Sequence, residues 1–85
     1  MKIGVVFIGT VIGAASKPYT MDNGKTGISY NLCVEVGGEA DNLPCDEYIF
    51  KAVESGNIAK YSQCTFTGEY DSRYRRLRVL NYKQK

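Results

Sequence analysis

The sequence predicts an all-β domain, a small closed barrel of five strands, and three observations point to it. Turn residues punctuate the 85-residue chain at short intervals, leaving runs of β-branched and aromatic residues between them. Glycines fall inside the first of those runs, where a barrel strand needs a bulge or bend to turn its corner. A later run, Ile28 to Val36, alternates between apolar and polar positions. The length allows one domain with a thin core, one that buries ~60–65% of its unfolded surface. No repeat, linker or low-complexity stretch divides it.

Strand one is read over Lys2 to Ala14, rich in Val and Ile, with Gly9 as the expected bend. Its charged start, apolar run and small-residue end also have the shape of a secretory leader, but Gly4, Gly9 and Gly13 suit a bent strand better. Residues 15–27 read as a long loop, with Asn23-Gly24 as a turn signal and Pro18 against a central strand. In strand two, Ile28, Tyr30, Leu32, Val34 and Val36 share one face, and Ser29, Asn31, Cys33 and Glu35 the other. Gly37-Gly38 opens an acidic loop through Pro44.

Strand three is read over Asp46 to Val53, and Glu54 to Lys60 as a short helix or plain connection. Strand four runs from Tyr61 to Gly68 with Cys64 and Phe66 inward; after a turn at Asp71-Ser72, strand five runs from Arg73 to Tyr82. Five strands, a long first loop and a link of about seven residues between strands three and four give the order of an OB-type barrel. An SH3-like barrel is the nearest rival, and the link favours the OB reading.

Net charge is +2, but it is unevenly placed. Residues 35–54 carry Glu35, Glu39, Asp41, Asp46, Glu47 and Glu54 against Lys51 alone, whereas residues 73–85 carry Arg73, Arg75, Arg76, Arg78, Lys83 and Lys85 and no acid. This asymmetry predicts a basic face for a polyanion, with a solvated basic tail as the plainer alternative. Cys33, Cys45 and Cys64 are too far apart for a zinc site and odd in number, so free thiols in a reducing cytoplasm are expected, with Cys33 and Cys64 buried.

Catalytic motifs are missing. With no histidine in the chain there is no Ser-His or Cys-His pair, and the commonest metal ligand is gone. Gly24-Lys25-Thr26 resembles the end of a phosphate-binding loop, but position 19, where the first glycine belongs, is Tyr. Neither enzymatic activity, a metal nor a cofactor is expected.

Seven tyrosines and no tryptophan, by contrast, suit half-exposed surfaces that grip a ligand. Single-stranded nucleic acid is held by cations along its phosphates and by aromatic faces under its bases. Tyr70, Arg73, Tyr74, Arg75, Arg76 and Arg78 interleave both kinds across one hairpin, and arginine can fork onto phosphate or stack on a base. Lys17, Tyr19 and Lys25 lie in the first loop, with Tyr30 as a base platform or a core cap. Arg76 and Arg78 are equally well read as the solvent face of a strand; Tyr48, Phe50 and Phe66 read as core, and Tyr61 as a cap on the barrel bottom.

In Gly24-Lys25, in Leu32-Cys33 running out at Val36-Gly37, and in Arg76-Leu77-Arg78-Val79 preceded by Tyr70, the chain resembles the small single-stranded-DNA-binding proteins of filamentous phages. The resemblance implies an OB-type barrel that works as a homodimer, coating single-stranded DNA during replication in the cytoplasm of a bacterial host. It makes Tyr70 the stacking aromatic of the hairpin, Lys17 and Lys25 the loop cations, Arg76 and Arg78 the phosphate track and Ile28 an apolar base contact. The chain departs from the family at Val34, where an exposed aromatic is common. RNA is an alternative ligand, since nothing reads a 2′-hydroxyl. A protein-interaction module, pairing a strand edge near Tyr48 and Phe50 with a partner, is the alternative function.

Overall fold

The computed structural model describes residues 1–84. Its five strands are β1 (Lys2–Thr20), β2 (Thr26–Val36), β3 (Glu39–Pro44), β4 (Gln63–Asp71) and β5 (Arg76–Gln84), and one helix, α1 (Glu47–Glu54), joins β3 to β4. They form a single antiparallel sheet in the order β3-β2-β1-β4-β5. The two outer strands meet through one parallel bridge between Cys45 and Val79, which rolls the sheet into an OB-type barrel.

β1 is the spine. Its first half pairs with β4, from Lys2↔Asp71 to Thr10↔Gln63, and its second half with β2, from Thr10↔Glu35 to Thr20↔Thr26. The register slips between Val11 and Gly13, so Ile12 is a bulge where the strand passes from one half of the barrel to the other. Gly9 sits just before this corner, and a Cβ there would collide with the Val34 side chain; the expected bend thus coincides with a close approach.

Several boundaries differ from the sequence reading, those of β4 and β5 by two or three residues and three others more deeply. Residues 15–27 are not a loop, because β1 and β2 continue as a two-stranded arm closed by a turn in which Gly24 takes φ 84°. Pro18 is tolerated there because the arm has no third strand, so its missing N–H breaks no ladder. The expected acidic loop contains β3: Gly37 and Gly38, at φ 62° and 90°, supply the positive φ values of a two-residue hairpin turn, and Val36 faces Glu39. Acidic side chains suit this strand because it lies at the sheet's edge, where charge discourages pairing with other chains.

The third difference concerns Asp46 to Val53, expected as a strand and folded as α1. Ile49, Ala52 and Val53 recur at helical spacing and are all buried, and Glu47 and Lys51 pair across one turn at 3.0 Å. Gly56, at φ 87°, ends the element. The helix plugs the barrel: its apolar face, with Ile58 behind it, joins Val11, Leu32, Val34, Cys45, Cys64, Phe66 and Val79 in one core. A fully buried side chain such as Ile49 contributes about 1.5–3 kcal/mol.

Inward Cys64, Phe66, Leu32, Val34 and Val79 lie where alternation put them. Cys33, expected to be buried, is only half-buried on the outer face, while Cys45 and Cys64 are the buried thiols; all three are free. Tyr61, expected to cap the barrel bottom, is 74% exposed because the chain turns outward there at φ 67°. Tyr48, expected in the core, rides on the outer side of α1, stacks on Tyr82 at 6.0 Å and donates to the Leu80 carbonyl at 2.9 Å.

Gly68 stands at a second irregularity, where the β4–β5 register shifts, and a Cβ there would lie 2.6 Å from the carbonyl oxygen of Arg78. Gly68→Ala should therefore cost about 1–3 kcal/mol in a urea titration, since backbone gives way less readily than a side chain. An unchanged midpoint would show that β5 yields at this point.

Burial pushes the Cys45 thiol up from 9.0 to about 11, with Arg78 opposing and Asp46 reinforcing the shift. The folded chain thus holds this proton more tightly than the unfolded one. The resulting stabilisation is complete below pH 9 and is lost as pH rises towards 11. Tyr48, raised mainly by burial, acts in the same direction. Unfolding free energy should fall across this window and fall less steeply in Cys45→Ala; identical slopes would contradict the assignment.

Candidate functional site

The barrel closes at Cys45 and Val79, but the residues before them stay apart, β3 on one side and β5 on the other. A groove of about 580 Å³ opens along this seam, lined by Tyr19, Ile28, Ser29, Tyr30 and Asn31 from the β1–β2 arm, Asn42, Pro44 and Cys45 from the end of β3, and Arg76 and Arg78 from β5. Five of the residues picked out in the sequence thus come together here: Tyr19, Ile28, Tyr30, Arg76 and Arg78.

Each is placed by the fold. Ile28 shares the inward face of β2 with Leu32 and Val34, yet is 55% exposed because the arm outruns the barrel core. Tyr19 faces Gly27 across the arm, and its ring lies on that bare backbone: a Cβ on Gly27 would sit 2.6 Å from the ring's Cζ. Tyr30 packs its ring 5.0 Å from that of Phe50 on the helix and also lines the groove.

The two arginines differ. Arg78 points its guanidinium at Asp46, with Nη2 donating to Oδ1 at 2.7 Å and Nε at 3.1 Å. Asp46 occupies the N-cap position of α1 but makes no side-chain cap bond, because its carboxylate serves Arg78 instead. Arg76 forms no ion pair among the described residues and is exposed.

A smaller hollow of about 170 Å³, lined by Lys2, Glu69, Asp71, Tyr74, Arg76 and Arg78, adjoins the groove through the two shared arginines. Tyr74 is 71% exposed beside it, with the Arg73 guanidinium 5.3 Å from its ring centre. Arg73 also pairs with Asp71 at 3.4 Å, and this contact holds the Asp71 carboxyl below its ordinary range. Strand five begins at Arg76 rather than Arg73; residues 72–75 form the hairpin tip, where Arg75 takes φ 49°.

Other expected residues lie outside both hollows. Lys17 and Lys25 are exposed on the arm. Tyr70 is half-buried within β4 of the hairpin and faces Leu77, whereas Tyr74 at the hairpin tip is exposed. Sequence reasoning missed Asn31, Asn42 and Asp46. Asn31 was visible as a polar position of β2, but Asn42 was hidden in a segment taken for a loop and Asp46 at the head of a segment taken for a strand. The expected acidic block is dispersed: Glu39 sits beside the β2–β3 turn at the far end from the groove, Glu47 is paired with Lys51, and only Asp46 reaches the site.

No protein-family model and no curated protein matches this sequence. Fold and site define a small OB-type barrel with a basic, tyrosine-bearing groove along its seam. No helix among the described residues is long and apolar enough to cross a membrane.

Because Asp46 bonds Arg78 and not the helix amides, Asp46→Asn should cost only about 1 kcal/mol or less, the worth of a half-exposed ion pair. Denaturant titration checks this; a substantially larger loss would reveal a capping role.

Proposed function

We propose that the protein binds single-stranded DNA, without strong sequence preference along most of the strand. One observation carries this reading: a single groove sets Tyr19, Ile28 and Tyr30 along the arm against Arg76 and Arg78 on β5. Unpaired bases stack on the tyrosines and the apolar Ile28, while the arginines neutralise phosphates. Tyr74 and Lys2 extend the path through the adjoining hollow, and Lys17 and Lys25 add charge along the arm. A duplex keeps its bases stacked and inaccessible to such rings. The likeness to the filamentous-phage proteins supports the same reading, including a homodimer and a role in replication inside a bacterial host. Exposed Val6 and Ile8 on the outer face of β1 are apolar surface a second copy would cover.

In the alternative of a protein-interaction module, Tyr48 and Phe50 stand beside a strand edge that pairs with a partner; both lie on α1, and Phe50 packs against Tyr30.

Titration of a fluorescent poly(dT) of about 30 nucleotides at two salt concentrations, with an equal-length duplex as control, tests the proposal. Binding should favour the single strand and weaken steeply with salt, and Arg76→Ala should lower the slope of log K against log salt by ~0.7 if it holds one phosphate. Tyr19→Ala should cost about 1–3 kcal/mol in binding, as loss of a stacking face does. Absence of binding even at low salt would sink the proposal.

A further inference from the structure

The groove contains more than stacking faces and cations. Asn31, half-buried on β2, and Asn42, exposed on β3, both line it. They sit on neighbouring strands, two pairs apart in the ladder: Asn31 faces Pro44, and Asn42 faces Cys33. Neither side-chain amide takes part in a hydrogen bond among the described residues; the bond at Asn42 is made by its backbone N–H to Asp41. The nearby hydroxyl of Ser29, in contrast, is already committed to the Lys17 carbonyl at 3.2 Å.

Two free amides that line the groove together with an arginine pair have a specific chemical meaning. An amide presents one acceptor and two donors, the complement of the hydrogen-bonding edge of a nucleobase. Phosphate contacts and stacking hold any sequence alike, whereas an edge contact does not. A groove of about 580 Å³ is large enough to admit a nucleobase.

We infer that Asn31 and Asn42 read the edge of one unpaired base, with its phosphate towards Arg76. This rests on the single-stranded DNA reading above and adds a base preference at one position of an otherwise sequence-tolerant path. Pro44 contributes by shape: it ends β3 and has no N–H to compete for the base edge.

The test compares oligo(dT), oligo(dC) and oligo(dA) of about eight nucleotides, near the site size of one OB barrel. Each is titrated with the wild-type chain, with Asn31→Ala/Asn42→Ala and with Asn42→Ala alone, a change on an exposed edge strand that the fold should tolerate. The wild type should separate the most and least favoured oligomers by about 5- to 160-fold, the range expected of a well-paired amide. The double variant should lose affinity for the favoured oligomer, hold the others nearly unchanged and so collapse the ratio, with the single variant in between. If the wild type binds all three alike, or the variants keep its ratio, the amides do not read a base, although single-strand binding stands. If none of the oligomers binds, the functional reading fails as well.

Discussion

The barrel is held shut at one place, and the groove exists because of how little is used to shut it. Beside the bridge at Cys45 and Val79, the Cys45 amide donates to the Tyr30 carbonyl at 3.0 Å and the Asp46 amide to the Val79 carbonyl at 3.3 Å. The Asp46 carboxylate then reaches Arg78 on the facing strand. The bond to Tyr30 ties this junction to β2, and the others bring it to β5 over two residues, leaving the stretch before them unzipped. Every other strand pair shares a ladder of six or more residues. A longer seam would complete the barrel's hydrogen bonding and abolish the concavity.

The same junction fixes the helix and sets the electrostatics. α1 starts one residue after Asp46, so the closure that joins two strands also drops the helix onto the open end of the barrel, where Ile49, Ala52 and Val53 complete the core. Using the N-cap carboxylate on Arg78 sacrifices a helix cap and holds one of the two groove arginines in a fixed orientation. The result is an asymmetric pair, one guanidinium anchored and the other free to follow a ligand.

Much of the fold was legible because alternation in β2, β4 and β5 leaves little choice of face: Leu32, Val34, Cys64, Phe66 and Val79 must point in together. What was not legible came from competing signals. Gly37-Gly38 is a sound hairpin signal, but the acids after it read as loop, because strand propensity is depressed by residues that only an edge position accommodates. In Asp46 to Val53, aromatic and β-branched residues suggested a strand, and the helical spacing of Ile49, Ala52 and Val53 was short enough to be overlooked. The site followed suit. Arg76, Arg78, Tyr19, Ile28 and Tyr30 were visible as residue types, whereas Asn42 and Asp46 entered only when their segments took their true form. Tyr70, expected beside a turn, sits within the ladder because the strand runs on to Asp71.

The two-stranded arm carries a thermodynamic consequence. Beyond the Asn31↔Pro44 pair, β2 has no neighbour but β1, and beyond Thr10 β1 has lost β4. Two strands without a third are marginal in water, so the arm opens locally far more easily than the barrel unfolds. Tyr19 and Ile28 stand on that arm, while the arginines they oppose stand on the closed barrel. Any ligand that bridges the two must supply the free energy that keeps the arm ordered, and on leaving it releases a segment that regains its freedom. Residence time in the groove is thus coupled to the fraying of a hairpin, and can be tuned by substitutions at the arm's tip without altering a residue that touches the ligand.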